Sequence, residues 1–183
     1  MLYDLGRCIY RYWIAPRFLR LWFQILSRYP IRQVGHAILL GCYIKSAVDY
    51  IFGDAAAWFG ECVSWYVQNK FFDNRIPVGP LLKNSQITAA AGAIVDGKVF
   101  LGRPWRPLAR VIYQYSTLTG VVHPEGWAPM AEGATPYVLI FMEYENTGAG
   151  SNTSVRLYET PASAAMAKSQ LWGGDTGWYD KAY

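Results

Sequence analysis

Short apolar runs separated by turn residues dominate the chain from residue 35 onward. The runs are rich in Val, Ile, Tyr and Phe, and Gly, Pro, Asn and Asp stand between them. They predict strands at residues 37–44, 47–52, 56–59, 85–89, 98–101, 109–115 and 137–143. No convincing amphipathic helical pattern lies between them. We therefore predict an all-β fold of many short strands, with an irregular region at 63–82 and a tail after residue 152 that packs on the end of the strand array.

The N-terminal segment differs from the rest of the chain. Residues 1–32 interleave six arginines with Tyr, Trp, Phe and Leu, and they contain one acidic residue. Residues 17–28 fit a short amphipathic helix that starts after Pro16 and stops before Pro30. Such a segment is either an anchor for a membrane surface or an atypical cap on the fold, and the cap is favoured. We predict a divergent segment at 1–34 and the main fold at 35–183.

Composition and charge exclude several classes of protein. A chain of 183 residues, 52% of them hydrophobic and 16% charged, fits one folded domain and not a disordered one. The net charge of +4 comes from the N-terminal segment, since residues 33–183 carry 11 basic and 12 acidic residues. Nucleic-acid binding is therefore not expected. The apolar stretch at 21–26 is far shorter than the roughly 20 residues of a membrane span, and no clear signal peptide precedes it.

Three cysteines leave one structural question open. Cys42 and Cys62 lie 20 residues apart. In a solenoid, equivalent positions stack at roughly 4.8 Å, within reach of a disulfide. The two are either bridged or both buried free thiols. The chain has no CxxC pair and only two histidines, so we expect no zinc site.

Two short motifs carry the candidate chemistry. Residues 48–54 read VDYIFGD and place Asp49 in an apolar run, and residues 101–105 read LGRPW and offer Arg103 and Trp105. An ionised carboxylate is costly to bury unless a fixed cation pairs with it. Arg103 is the candidate cation, and Trp105 offers a flat ring to a sugar. A carboxylate held in this way can serve as a nucleophile on a carbohydrate ester.

Six motifs together resemble one family. They are GCYI at 41–44, AVDYIFGDAAAWF at 47–59, KVFLGRPWR at 98–106, PEGW at 124–127, EY followed by NTGAG at 143–150, and DTGWYD at 175–180. In this order they resemble the pectin methylesterases, especially the fungal ones. The resemblance covers residues 38–62 and 84–183. It implies a single-stranded right-handed parallel β-helix and a secreted protein. It also implies a reaction that needs no metal or organic cofactor.

The same resemblance implies a reaction and the residues that perform it. The substrate would be methyl-esterified polygalacturonate (pectin), which is hydrolysed to methanol and free carboxylates by a monomeric enzyme. Asp49 would be the nucleophile, and Arg103 would orient its carboxylate and keep it ionised. Trp105 and Phe52 would contact the sugar ring, and Trp127 would line the same groove.

The sequence also departs from the family pattern. The family places an acid/base aspartate, preceded by a glutamine, about 21 residues before the nucleophile, but residues 24–32 contain no Asp or Glu. A second, upstream glutamine has no counterpart either. We therefore expect the C-terminal part of a pectin methylesterase, with a β-helix incomplete at its N-terminal end and weak or absent turnover. The alternatives are a non-catalytic pectin-binding remnant and, less favoured, a lectin-like or membrane-peripheral protein.

Two acidic residues compete for a role near the site. Glu125 or Glu143 could pair with Arg103 at the surface, which would leave Asp49 without its cation. Glu143 is also the most tempting substitute for the missing acid. The motif match favours pairing of Arg103 with Asp49, and it places Glu143 outside the chemistry.

Overall fold

Short strands make up nearly all the regular structure in the described part of the chain. The computed structural model describes residues 9–12, 24–25, 30–46, 52–66, 73–74, 80–104, 109–129, 139–171 and 173–174. The strands are β1 (Ile9–Tyr12), β2 (Gln24–Ile25), β3 (Pro30–Leu40), β4 (Tyr43–Ser46), β5 (Phe52–Gly60), β6 (Val63–Tyr66), β7 (Asp73–Asn74), β8 (Leu81–Lys83), β9 (Gln86–Ala89), β10 (Arg103–Pro104), β11 (Arg110–Gln114), β12 (Thr117–Leu118) and β13 (Ile140–Tyr144). One short helix, α1 (Lys168–Leu171), follows them.

Strands of successive coils stack into three sheets, which run along the axis of a parallel β-helix. The large sheet has the order β1-β3-β5-β8-β11-β13, and the second sheet has the order β2-β4-β6-β9-β12. All neighbours in these two sheets are parallel except β1, which runs antiparallel along β3. The third sheet pairs β7 with β10 and reaches the next coil through a bridge between Gly102 and Trp127. The all-β parallel β-helix expected from the sequence is confirmed.

Strand alternation divides the large sheet into an inner and an outer face. The inner column Leu39, Phe59, Leu82, Tyr113 and Glu143 is set by the register of the strands and lies in the interior of the solenoid. Its neighbours in the outer column include Ile38, Trp58, Leu81 and Ile112, which form a second apolar cluster with Leu171 of α1. The part of the C-terminal tail at residues 166–171 therefore covers the outer face of the large sheet. The predicted packing of the remaining tail on the end of the solenoid stays a prediction, because residue 172 and residues 175–183 lie outside the described residues.

The turn between the large and the second sheet repeats in every described coil. Its first residue has a positive φ each time: the residues are Gly41, Glu61, Asn84, Tyr115 and Glu145. The second residue of the turn points inward. From Ser85 onward, its side-chain oxygen accepts a hydrogen bond from the backbone amide of the equivalent residue one coil earlier. Cys62 N donates to Ser85 Oγ, Ser85 N to Ser116 Oγ, and Ser116 N to Asn146 Oδ1. This ladder satisfies buried backbone groups at the corner of the solenoid.

The two cysteines of this turn are not bridged to each other. Cys62 is a free thiol with 1% of its surface exposed, and Cys42 is disulfide-bonded. Burial raises the pKa of the Cys62 thiol to about 11, which makes the thiolate inaccessible at neutral pH. Of the alternatives left open by the sequence, a Cys42–Cys62 bridge is therefore wrong, and only Cys62 is a buried free thiol.

Several predicted strands are confirmed and others are corrected. The predictions at 85–89, 109–115 and 137–143 match β9, β11 and β13, and 56–59 lies within β5. The run at 37–44 is two strands, because the chain turns at Gly41. Residues 98–101 form only an isolated bridge at Val99. The region at 63–82 is not irregular throughout, since β6 pairs with both β4 and β9.

The N-terminal segment contributes strands to both main sheets. The predicted helix at 17–28 is wrong at Gln24–Ile25, which pair as β2 with β4. β1 lies along β3 and occupies the outer edge of the large sheet, which otherwise would present unpaired backbone groups. β3 runs from Pro30 to Leu40 and crosses the predicted boundary between the N-terminal segment and the main fold. The division of the chain at residue 34 therefore stays a proposal. Among the described residues, no helix is long and apolar enough to cross a membrane.

Candidate active site

The third sheet carries Arg103, the central residue of the candidate site. Arg103 opens β10, where its backbone lies opposite Asp73 of β7. Arg103 is half-buried and stands between the buried residues Gly102 and Pro104. The pairing of β10 with β7 holds the backbone of Arg103, and its expected role as a bidentate partner of a carboxylate stays a prediction.

Two aromatic residues support the backbone beneath Arg103. The Tyr113 hydroxyl crosses the core and donates a hydrogen bond to the Leu101 carbonyl, at 3.1 Å. The Trp127 ring packs directly under Gly102, so that a Cβ added at Gly102 would lie 3.2 Å from the indole. A larger residue at this position would require the indole to shift by a few tenths of an ångström. The core of the solenoid therefore supports the backbone that leads into Arg103.

The expected sugar contact of Trp127 does not fit its position. The indole is fully buried, and it stacks on Phe141 with 4.5 Å between ring centroids and an angle of 14°. An aromatic ring with no exposed face cannot stack on a sugar. We assign Trp127 to the core, where it holds the strand that carries Arg103.

The other predicted site residues are described only in part or not at all. Asp49 and Trp105 lie outside the described residues. Phe52 is the first residue of β5, and its backbone lies opposite Pro30 at the start of β3. The pairing of Asp49 with Arg103, with Trp105 beside them, therefore stays a prediction.

Glu143 has a structural partner other than Arg103. Its carboxylate receives two hydrogen bonds from Arg156, Nε to Oε1 at 2.7 Å and Nη2 to Oε2 at 3.0 Å. The side chains of both residues are at most 2% exposed. Burial raises the pKa of Glu143, and the hydrogen bonds and charge of Arg156 oppose that rise. The neighbouring Trp127 indole also lowers the pKa of Glu143. Its Nε1–H nevertheless forms no hydrogen bond of standard geometry with the described residues.

This pairing removes Glu143 from the candidate chemistry. A carboxylate enclosed by Arg156 in the core cannot exchange protons with a polysaccharide on the surface. The other competing acid, Glu125, is exposed and lies 4.0 Å from the Nδ1 atom of His123. Arg156 itself was missed from the sequence, because it follows Glu143 by 13 residues across a loop and no local pattern links the two.

Metal ligation finds no support in the described residues. They contain no group of three or more His, Cys, Asp or Glu side chains that could hold a metal ion. The carboxylate and guanidinium chemistry expected of Asp49 and Arg103 stays a prediction, because Asp49 lies outside the described residues.

Both the sequence and the fold of the chain resemble those of known proteins. A family model described as Pectinesterase matches residues 36–171. The chain belongs to the pectinesterase family. It is similar to "Probable pectinesterase A" of Aspergillus niger, with 43% identity over 172 residues that cover 82% of this chain and 47% of the relative. It is also similar to "Pectinesterase A" of Emericella nidulans, with 44% identity, 82% of this chain and 48% of the relative covered.

Solved pectinesterase structures share the fold. The pectin methylesterase from Aspergillus niger in deglycosylated form superimposes with a TM-score of 0.71 at 45% identity, covering 79% of this chain and 50% of that one. The pectin methylesterase from carrot gives a TM-score of 0.61 at 25% identity, with 73% and 47% covered. The chain spans about half the length of the curated relatives it matches.

Proposed function

We propose that the chain is a carboxylic ester hydrolase that removes methyl esters from pectin, with Asp49 as its nucleophile. The observation that carries the proposal is the pectinesterase match over residues 36–171, which includes both the Asp49 and the Arg103 motifs. The contacts of Tyr113 with Leu101 and of Trp127 with Gly102, the two residues before Arg103, support it. Secretion, pectin as the partner and a monomeric state belong to the same proposal.

The proposed reaction has two steps. The Asp49 carboxylate attacks the ester carbonyl carbon, the bond to the methoxy oxygen breaks, and the leaving oxygen takes up a proton as methanol. Water then attacks the resulting anhydride, which releases the sugar carboxylate and restores Asp49. Arg103 keeps Asp49 ionised and oriented, and Trp105 and Phe52 hold the sugar ring.

Turnover in this chain is proposed to be weak. The methanol oxygen needs a proton donor and the water needs a base, and Asp49 serves neither purpose while it is acylated. Residues 24–32 provide no carboxylate for these steps, and Glu143 is enclosed by Arg156. Loss of a general acid/base costs about 10²–10⁴-fold in rate, and loss of an oxyanion donor costs about 10²–10³-fold more.

A second candidate is a non-catalytic pectin-binding protein. The absence of a carboxylate at residues 24–32 favours it, because Arg103 and the sugar-binding aromatics do not depend on the missing acid. In this case the chain would hold esterified polygalacturonate without changing it.

Methanol release separates the two candidates. Purified protein is incubated with highly esterified pectin, and methanol is measured beside Asp49→Ala and Arg103→Gln. We expect slow release by the natural chain that both substitutions abolish. Binding without methanol release would favour the non-catalytic candidate. Release that persists in Asp49→Ala would contradict the assignment of the nucleophile.

A further inference from the structure

A groove lies beside the C-terminal tail, on a different face of the solenoid from Arg103. Its volume is about 650 Å³, within the range of small-molecule sites. One wall is the repeated turn, with Glu61, Asn84 and Tyr115, and the other wall is the tail at residues 165–169. Trp58 lies at its base. The catalytic motifs do not contribute to it.

Hydrogen bonds and packing fix both walls of the groove. The Gln114 side chain donates from Nε2 to the Met166 carbonyl at 3.0 Å and accepts at Oε1 from the Met166 amide at 2.9 Å. Leu171, at the end of α1, is 2% exposed against the outer apolar cluster. The tail wall is therefore held before any ligand arrives, which lowers the cost of binding.

Two lysines give the groove a positive charge. Lys83 Nζ lies 5.8 Å from the centroid of the Trp58 ring and 5.7 Å from that of Tyr115, and Lys168 Nζ lies 5.1 Å from the Trp58 ring. Lys83 makes no ion pair with another described residue, and Glu61 is the acidic residue among those lining the groove. Burial, and then the charge of Lys83, lower the pKa of Lys168. An anion bound between the two ammonium groups would relieve this repulsion.

Tyr115 adds a surface that suits a sugar ring. It is 40% exposed, and its ring meets Tyr144 edge-on, with 5.6 Å between centroids. Its backbone has a φ of 52°, a region that bulky residues rarely adopt, at a turn position where other coils carry Gly41 and Asn84. The side chain of Tyr115 is thus displayed at the rim of the groove beside Lys83.

We propose that this groove is a second saccharide site, which binds a uronate residue of an acidic polysaccharide through Lys83 and Lys168, with the sugar ring on Tyr115. Two ammonium groups provide the countercharge for a carboxylate, and the aromatic ring distinguishes a sugar acid from a small inorganic anion. The choice of a pectic acid rests on the proposed function, since hydrolysis of methyl esters produces free uronates. The site would hold de-esterified polymer away from the catalytic face.

Binding of a trimer of galacturonate to the full chain tests the proposal. Titration is followed by calorimetry and by amide shifts in the NMR spectrum. We expect shifts at Lys83, Tyr115 and Met166, and about tenfold weaker binding in Lys83→Gln and in Lys168→Gln, since about 1.4 kcal/mol corresponds to a factor of ten. The fully methyl-esterified trimer should bind at least about tenfold more weakly, because it carries no carboxylate.

Matched variants control for charge and for the turn. Lys98→Gln removes the same charge from an exposed lysine outside the groove and should bind the trimer unchanged. Tyr115→Asn removes the ring but keeps a residue that tolerates the positive φ, as Asn84 does one coil earlier, and it should weaken binding about tenfold.

Three results would overturn the proposal. They are unchanged affinity in the double variant of Lys83→Gln and Lys168→Gln, amide shifts confined to residues around Arg103, and equal competition by inorganic sulfate, which would indicate a general anion site. Methanol release is measured on the same samples. A chain that binds the trimer in the groove but releases no methanol contradicts the proposed esterase and leaves the second site standing.

Discussion

Arg156 closes the C-terminal end of the solenoid core by a bidentate ion pair with Glu143, the last residue of the inner column. The same guanidinium donates to the carbonyls of His123 at 3.3 Å, Pro124 at 2.9 Å and Gly150. Gly126 lies against the side chain of Arg156, so closely that a Cβ would collide with it. One side chain thus ties two loops, at residues 123–124 and at residue 150, to the core and donates to three backbone carbonyls.

Removal of Arg156 should destabilise the protein in a pH-dependent way. Arg156→Met leaves the Glu143 carboxylate buried without its cation, which typically costs about 3–5 kcal/mol. Burial already raises the pKa of Glu143, so the folded state holds its proton to higher pH than the unfolded chain does. The contribution of Glu143 to stability is therefore greatest below about pH 4.5 and declines as the pH rises through the folded pKa. Without Arg156 that pKa rises further, and the decline becomes larger.

Urea unfolding from pH 4 to pH 7 measures this effect. The loss in unfolding free energy caused by Arg156→Met should be smallest at pH 4 and grow towards neutrality. Glu143→Gln combined with Arg156→Met provides the control. The buried Glu143 carboxylate is gone, so the extra pH dependence should fall to the contribution of Glu159, whose pKa burial raises and the charge of Arg156 lowers. A penalty that is equal at both ends of the range would show that the ion pair does not determine it.

The strands that the sequence predicted well have local causes. β9 and β11 are compact runs with β-branched or aromatic residues. The break between β3 and β4 was missed, because Cys42 continues the apolar run and only the backbone conformation at Gly41 reveals the turn. β6 was missed because its partners, β4 and β9, lie 20 or more residues away along the chain.

The sequence motifs of the candidate site could be recognised, but the contacts between residues of different coils could not be predicted from them. The motif at Arg103 indicated a cation held beside Asp49. The structure gives the backbone of Arg103 a place in the third sheet, and the pairing with Asp49 stays a prediction. The orientation of Trp127 depends on its bridge to Gly102 and on the stack with Phe141, both set by neighbouring coils. The partner of Glu143 depends on a loop that returns to the end of the core. Long-range pairings of this kind leave no periodic signal in the sequence.

Loss of the Gln114 side chain should release the C-terminal tail. Gln114→Ala removes both hydrogen bonds to the Met166 backbone and leaves these groups without their partner, at a cost of about 1–3 kcal/mol. We expect faster proteolysis between residues 160 and 171 and faster hydrogen exchange at the Met166 amide. Gln86→Ala, at an exposed position of β9, is the matched control and should leave both rates unchanged. Equal protection of the tail in the two variants would mean that apolar packing alone holds it.

Loss of Asn146 should destabilise the protein through the turn ladder. Its Oδ1 accepts from Ser116 N at 2.9 Å, and its Nδ2 donates to the Tyr113 carbonyl at 3.1 Å. Asn146→Ala removes both hydrogen bonds at the last described turn of the solenoid, so we expect a loss of about 1–3 kcal/mol in unfolding free energy.

Asn152→Ala is the matched control for the ladder. Asn152 is exposed and bonds only the Ser154 amide within its own loop, so its loss should cost at most about 0.5 kcal/mol. Chemical denaturation of the two variants beside the natural chain gives the comparison. Because Tyr113 also supports Leu101 below Arg103, hydrogen exchange at Leu101 should accelerate in Asn146→Ala and not in Asn152→Ala. Similar losses in both variants would show that the ladder contributes no more than a surface turn.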